Sequence, residues 1–272
     1  MIAHLILIDA MNLIRRIYAV QERPFLLNHG LADNTKIQVV ENTEQSCVNA
    51  LTAILKLLEP SHALAVFDSK TPCWRYQLFA DYKKGRKKCP EHLTNKLPDI
   101  QDSFLQHGVD SLVSEQDEAD DLIATLSVKV ALRNQKVTII STDKSFLTLL
   151  CPNIQVYDYF HRRYLDERYV IEKFHVKPSQ LIDLWSLTGD TTNKIPGVPG
   201  IGLVTAAELL NEHHSITKLM EADNLKHKIK QKLDEHSVQI TLNRKLLSLQ
   251  QSIPLGFNMK DIRLPQFEPQ NA

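Results

Sequence analysis

The chain has 272 residues, 43% of them hydrophobic and 24% charged, with 32 basic residues against 32 acidic ones and a formal net charge of zero. That apolar content suffices for one large domain, or one plus a small appendage, and the charge balance excludes a generic basic coat for nucleic acid while leaving room for opposed patches. No stretch approaches the roughly 20 apolar residues that cross a bilayer, and an aspartate interrupts the apolar start MIAHLILIDAMNLIRR too early for a signal peptide, so the expectation is a cytoplasmic protein.

In chain order, the β-rich run His4 to Ile8 predicts a first strand, and residues 28–43, polar and poor in pattern, read as a loop. Glu44 to Leu58 has helical period, with Val48, Leu51, Leu55 and Leu58 on one face. Ala63 to Phe67 is a second strand, and residues 71–98 hold a dense basic stretch between prolines. Asp117 to Leu132 is helical, Val137 to Ile140 a third strand and Ile154 to Tyr157 a further one. After Tyr169 the apolar positions become helical, interrupted by a Gly/Pro-rich turn from Gly189 to Gly202, and the terminal LPQFEPQNA reads as a frayed tail. Strands alternating with helices predict an α/β fold, a parallel central sheet covered by helices, with a smaller helical region beside it. The expected divisions are 1–168, 169–255 and a tail at 256–272. Cys47, Cys73, Cys89 and Cys151 are spaced neither as a zinc knuckle nor as a redox pair and read as reduced thiols.

Each of the three strands is followed by an acid: Asp9, Asp68 and Asp143. A fourth element, EADD, adds Glu118, Asp120 and Asp121. Ligands of open α/β sheets bind beyond the carboxyl ends of the strands, so parallel strands would deliver these carboxylates to one edge. Crowded carboxylates repel and raise one another's pKa. A hard divalent cation, magnesium or manganese, removes that penalty and can activate water for phosphodiester hydrolysis. A strand-end Asp is also a common cap or turn residue, and Asp117 with Asp120 at N3 makes a near capping box. The conjunction of all four elements favours a metal site.

The run DYKKGRKKCP carries Lys83, Lys84, Arg86, Lys87 and Lys88, with Trp74, Arg75, Tyr76 and Tyr82 at its edge. It reads either as a solvated loop or as a substrate-facing one, in which cations grip phosphates and aromatics stack on bases. Lys226, Lys228, Lys230 and Lys232 alternate and so spread around a helix. The turn Ile195-Pro196-Gly197-Val198-Pro199-Gly200-Ile201-Gly202, followed by an apolar helix pattern, has more glycine than a plain turn needs. Close backbone approach and amides at a helix start suit a phosphate, and inward carbonyls suit a monovalent cation. This is a helix-hairpin-helix arrangement, which holds a DNA backbone without reading sequence.

Together LIDAMNLIRR, VFD, the WR…DYKKGR segment, EADDLIATL, STDK and LTGDTTNKIPGVPGIG resemble the 5′ nuclease and flap endonuclease superfamily, in its bacterial branch related to the N-terminal domain of DNA polymerase I. The resemblance runs from Leu5 to about Leu247. It implies a parallel α/β core, a helical arch at about 70–98 over the active site and a C-terminal helix-hairpin-helix. It further implies magnesium-site acids at Asp9, Asp68, Glu118, Asp120, Asp121 and Asp143, arch basic residues at Lys83 and Arg86, and DNA contacts at Gly200, Ile201, Gly202, Leu203, Val204 and Thr205. A potassium ion would be held mainly by carbonyls of Leu187, Thr188, Pro196, Val198 and Ile201. Two departures stand out. Ser145 replaces the second acid of a D-K-D motif, and Asn193 and Lys194 replace the Asp and Asn of G-D-x-x-D-N, leaving Asp190. The second metal site is thereby thinned.

The reading is a monomeric, magnesium-dependent flap endonuclease acting on DNA with 5′ single-stranded flaps or branches, with Glu118, Asp120, Asp121, Lys83 and Arg86 as the catalytic group. One alternative is a DNA-binding module whose catalysis has decayed. A second is an RNA-directed nuclease of a toxin-like α/β group, whose members lack the glycine hairpin.

Overall fold

A computed structural model describes residues 3–25, 32–69 and 71–265. The strand β1 (His4–Asp9) is buried from Leu5 onward on both faces, as a central parallel strand must be. Helix α1 (Ala10–Glu22) follows it directly, then α2 (Asp33–Leu58), β2 (His62–Phe67), α3 (Trp74–Leu78), α4 (Glu91–Gln106), β3 (Asp110–Val113), α5 (Ala119–Ala131), β4 (Lys136–Ile140), β5 (Ile154–Asp158) and β6 (Arg163–Tyr164). The sheet order is β3-β2-β1-β4-β5-β6, parallel except for β6. The order reverses direction between β1 and β4, which opens a crevice at their carboxyl ends.

Alternation along the strands splits the core into two layers. Leu5, Leu7, Leu64, Val66, Val137 and Ile139 face α5 and the helical region. Ile6, Ile8, Ala63, Ala65 and Phe67 face α1, α2 and α4. The helical region comprises α6 (Glu167–Phe174), α7 (Leu181–Thr188), a two-stranded ribbon β7 (Gly189–Asp190) and β8 (Ile195–Pro196), α8 (Leu203–His213), α9 (Ile216–Glu221), α10 (His227–Glu235) and α11 (Ser237–Leu247). Buried Asn243 of α11 clamps the ribbon to α7, donating to the carbonyls of Ser186 (3.0 Å) and Pro196 (2.7 Å).

Three sequence expectations are corrected. Residues 33–43 are helix, not loop, because Val39, Thr43, Cys47, Ala50 and Ile54 form a buried stripe at helical spacing that continues the later pattern; residues 28–31 lie outside the described ones. The α5 N-cap is Glu118, paired with Asp121 in a capping box, rather than Asp117 with Asp120. Leu264, assigned to a frayed end, is 1% exposed, and its N–H donates to the Ser61 carbonyl at 3.1 Å. Burying such a side chain is worth about 1.5–3 kcal/mol. Residues 266–272 of that tail lie outside the described ones. Among the described residues no helix is long and apolar enough to cross a membrane, and all four cysteines are free.

Candidate active site

Asp9, Asp68, Asp120 and Asp143 meet at the crevice. Asp9 ends β1 and caps α1: Oδ1 accepts the Asn12 N–H at 3.1 Å and Oδ2 accepts the Ser141 hydroxyl at 2.8 Å. Asp68 follows β2, and its Oδ1 accepts the Ala119 N–H (2.9 Å) at the start of α5. Asp143 follows β4 and caps the short helical turn Lys144–Leu149 through the Ser145 N–H, 2.8 Å away. Strand-end acids are thus caps and pocket acids at once; the cap orients the carboxylate. Asp120, in the first turn of α5, accepts no hydrogen bond from any described residue.

Their electrostatics record the crowding. Burial, opposed by the bonds from Ser141 and Asn12 and reinforced by the charges of Asp143 and Asp68, pushes the Asp9 carboxyl up to about 7. Burial, then Asp143 and Asp9, hold Asp120 well above the usual carboxylate range, against the pull of Lys83; Asp68 adds to the upward push. These acids charge together readily only with a cation among them. Among the described residues no three acids converge as ready-made direct ligands. Magnesium keeps several of its waters, so acids at wider spacing serve through water. The orphaned Asp120 and the all-oxygen donor set fit that ion.

Glu118 and Asp121 lie apart, around the buried guanidinium of Arg75, which is 2% exposed. Arg75 Nη1 and Nη2 donate to Asp121 Oδ2 (2.7 Å) and Oδ1 (2.8 Å), and Nη1 also to Glu118 Oε2 at 2.7 Å. Asp121 further accepts from Trp74 Nε1 (3.3 Å) and the Gln250 N–H (2.9 Å), and it is fully buried. Its lone pairs are spent, so the structure takes it out of the group facing the crevice. Glu118 also accepts the Tyr82 hydroxyl at 3.0 Å and the Lys83 ammonium. Arg75 Nε and Nη2 reach on to the carbonyls of Leu246 (2.8 Å) and Ser248 (2.9 Å). One guanidinium therefore joins the active-site helix to the end of α11.

The basic stretch divides in two. Lys83, with a left-handed φ of 53°, turns inward: burial disfavours its charge, but Glu118 and Asp120 outweigh that and raise its pKa. Lys84, Arg86, Lys87 and Lys88 are exposed. Arg75 and Tyr82, read from sequence as part of a substrate-facing loop in which cations grip phosphates and aromatics stack on bases, are buried and unavailable for either contact; Tyr76 remains exposed. The Lys83 N–H donates to the Asn193 carbonyl at 3.0 Å, which ties this loop to the glycine hairpin.

In the hairpin, Gly189 and Gly197 pack so closely that a Cβ on Gly197 would collide with the Thr188 carbonyl. The carbonyls of Leu187, Pro196 and Val198 each accept one hydrogen bond, from Val198 N, Asn243 Nδ2 and Ile201 N, and keep a second lone pair. Gly200, Gly202 and Val204 are exposed at the start of α8, with Gly202 as its N-cap. Lys232 of α10 lies directly over Gly200. The alternating spacing of the lysines hides this contact: Lys228 and Lys232 share a face at i,i+4, and only packing of α10 shows that this face reaches the hairpin.

Asp190, which would serve a second metal, is occupied by the chain itself. Lys144 Nζ reaches Oδ1 at 3.0 Å, Asn193 Nδ2 reaches Oδ2 at 2.7 Å, and the Thr192 N–H reaches Oδ1 at 3.1 Å. Ser145 Oγ is buried without a partner among the described residues.

A parallel sheet with aspartates gathered at its switch point, a basic loop folded over them and a glycine hairpin alongside define a nuclease of the metal-dependent α/β type. Family models match nearly end to end: the N-terminal resolvase-like domain of 5′-3′ exonucleases over residues 4–175, and their C-terminal SAM fold over 176–270. The chain is 64% identical to the flap endonuclease Xni of Colwellia psychrerythraea (97% of this chain, 93% of that protein) and 45% identical to that of Photobacterium profundum (97% and 98%). A zinc-bound bacteriophage T5 5′-exonuclease superposes with a TM-score of 0.74 at 22% identity, over 90% of this chain and 89% of that one. The catalytic core of Rad2 in complex with a DNA substrate does so at 0.53 and 12%, over 92% and 80%. The chain belongs to the 5′-3′ exonuclease family and is a structure-specific nuclease of its flap endonuclease group.

Proposed function

We propose that the protein cleaves DNA bearing 5′ single-stranded flaps or branches, with magnesium, or manganese in its place, held at Asp9, Asp68, Asp120 and Asp143. The single observation that carries this is Asp120: a half-buried carboxylate with no donor among the described residues, facing three others. An ion held by these carboxylates would supply a lowered water pKa and shielding of phosphate charge. Lys83, held by Glu118 beside Asp120, places a positive charge where negative charge develops on the phosphate. Arg86, exposed and anchored by its own N–H on the Lys83 carbonyl, attracts the incoming strand. Glu118 and Asp121 act as positioning residues, through Lys83 and Arg75. The arch of about 70–98 is the segment that covers the crevice.

Duplex DNA docks by its phosphates on Gly200 to Thr205, with Lys232 beside them. The carbonyls of Leu187, Thr188, Pro196, Val198 and Ile201 would hold a potassium ion in the hairpin, where the lack of a side chain at Gly197 lets its two arms approach. The protein acts as a cytoplasmic monomer, its chain divided near 168 into the α/β core and the helical region. The test is cleavage of a 5′-flapped duplex in magnesium by the full chain and by Asp120→Ala. Loss of cleavage in the variant supports the assignment; equal rates, or none in either, reject it. The internal pairing of Asp190 favours one second reading, a DNA-structure-binding protein without cleavage, and binding with no cleavage by the wild type selects it.

A further inference from the structure

The turn after β5, Tyr159-Phe160-His161-Arg162, serves neither the carboxylate pocket nor the hairpin. Buried Asp158 shapes it: Oδ1 accepts the N–H groups of Phe160 (3.0 Å) and His161 (3.1 Å), and Oδ2 meets His161 Nδ1 at 2.7 Å. Arg162 then takes a left-handed φ of 51° and the chain turns back into β6. A buried acid that spends its acceptors on one turn fixes the shape of that turn.

What it presents is an aromatic ring beside two arginines that pair with no carboxylate among the described residues. Phe160 is half-buried, with Tyr159 at 5.6 Å edge to face. Arg16 of α1 places its guanidinium 5.5 Å from the Phe160 ring centre. Arg16, Arg162 and His161 are exposed, and neither arginine pairs with a carboxylate among the described residues. The plain account is that Phe160 only seals the edge of the core and the arginines are solvated. Its position argues for more. The turn packs on the segments that serve Asp9: Asn12, Ser141, Thr142, Tyr159 and Phe160, with Leu13 and Ile140, line one common void too small for water. Asn12 and Ser141 are the two donors to Asp9. Arg15, the neighbour of Arg16 on α1, donates through Nη2 to the Lys87 carbonyl at 2.8 Å, so the basic loop also reaches this helix.

We propose that this turn is a second nucleic-acid contact of the active site: the Phe160 ring and the Arg16 guanidinium receive a base of the single-stranded DNA beside the scissile phosphate, and Arg162 takes a neighbouring phosphate. Aromatic faces and guanidinium planes accept any base, as a nuclease that recognises structure rather than sequence requires. The inference rests on the proposed flap-cleaving function and extends it to the path of the unpaired strand.

The test compares Arg16→Ala, Phe160→Ala and Phe160→Trp with the wild-type full chain, by fluorescence anisotropy in calcium, on a 5′-flapped duplex and on the same duplex without a flap. Arg16→Ala and Phe160→Ala are each expected to weaken binding of flapped DNA about tenfold and to leave the blunt duplex within about twofold, while Phe160→Trp binds as the wild type does. Arg168→Ala, which removes an exposed arginine paired with Glu172 on α6, is the control and changes neither. Unchanged affinity for flapped DNA in Arg16→Ala and Phe160→Ala overturns the proposal, as does an equal loss on both DNAs. Should Phe160→Ala melt early, Arg16→Ala decides alone, because its side chain lies outside the core. Failure of the wild type to cleave flapped DNA in magnesium would remove the proposed function, while the comparison of flapped with blunt DNA still reads this contact by itself.

Discussion

The guanidinium of Arg75 and the carboxylate of Asp121 face each other through two hydrogen bonds of 2.7 and 2.8 Å, both groups shut away from solvent. A buried pair of this kind fixes geometry more than it adds stability, yet removing one partner strands the other. Arg75→Ala leaves Asp121 and part of Glu118 uncompensated and is expected to cost about 3–5 kcal/mol in chemical denaturation. A loss under about 1 kcal/mol would show that water or a neighbouring cation replaces the guanidinium.

Tyr82 touches the same network more lightly. Tyr82→Phe removes the hydroxyl that meets Glu118 at 3.0 Å, and a hydrogen bond to a charged group is worth about 1.5–3 kcal/mol. Arg75 and Lys83 still neutralise Glu118, so the low end of that range is expected, with cleavage retained within about tenfold. Melting and single-turnover rates measured on the same preparation separate the two effects.

Asp120→Asn keeps the shape of the side chain and removes its charge. The several kcal/mol that a metal ion contributes to a phosphoryl transition state correspond to about a hundredfold or more in rate. A drop of at least that size in kcat is expected, with affinity for flapped DNA in calcium preserved through the hairpin. A variant that cleaves within about threefold of the wild type would place the ion elsewhere.

The raised pKa of Asp9 gives the metal-free protein a direction on the pH axis. An aspartate in the unfolded chain titrates near 3.9, whereas Asp9 in the fold titrates at about 7. Between those values the folded state binds the extra proton, so stability is greatest at the acid end and is lost as pH rises through about 7. In EDTA, the melting temperature should therefore fall from about pH 5 to about pH 8, and magnesium should raise it more at the higher pH. Asp9→Asn should flatten the slope without abolishing it, because Asp120 is shifted in the same direction. A slope that Asp9→Asn leaves unchanged would assign the titration to other groups.

Gly197 and the potassium cradle can be tested together. Gly197→Ala drives a methyl into the Thr188 carbonyl and should weaken duplex binding by about tenfold or more, roughly 1.4 kcal/mol, while the far-ultraviolet spectrum of the sheet stays intact. Exchange of potassium for lithium should weaken wild-type binding and have little further effect on the variant. Cation-independent binding in the wild type removes the cradle from the account.

The sequence by itself determined the local elements and the identity of the acids. The β-rich runs LILID, ALAVFD and TIISTD, with an acid closing each, are enough to place Asp9, Asp68 and Asp143 at one sheet edge, because strand direction and side-chain alternation are short-range properties. The part of α2 before Glu44 reads as a loop in the sequence, because polar neighbours obscure its buried stripe of Val39, Val40 and Thr43. Only the tertiary structure decided which acids stay free. Asp120 and Asp121 are adjacent and chemically alike, and a helix turns them about 100° apart, one toward the crevice and the other toward Arg75. Arg75 and Gln250, which occupy Asp121, are distant from it in sequence, as Lys232 is from Gly200. Long-range contacts of that kind leave no periodic trace in a chain; they arise from how α3, α10 and α11 pack.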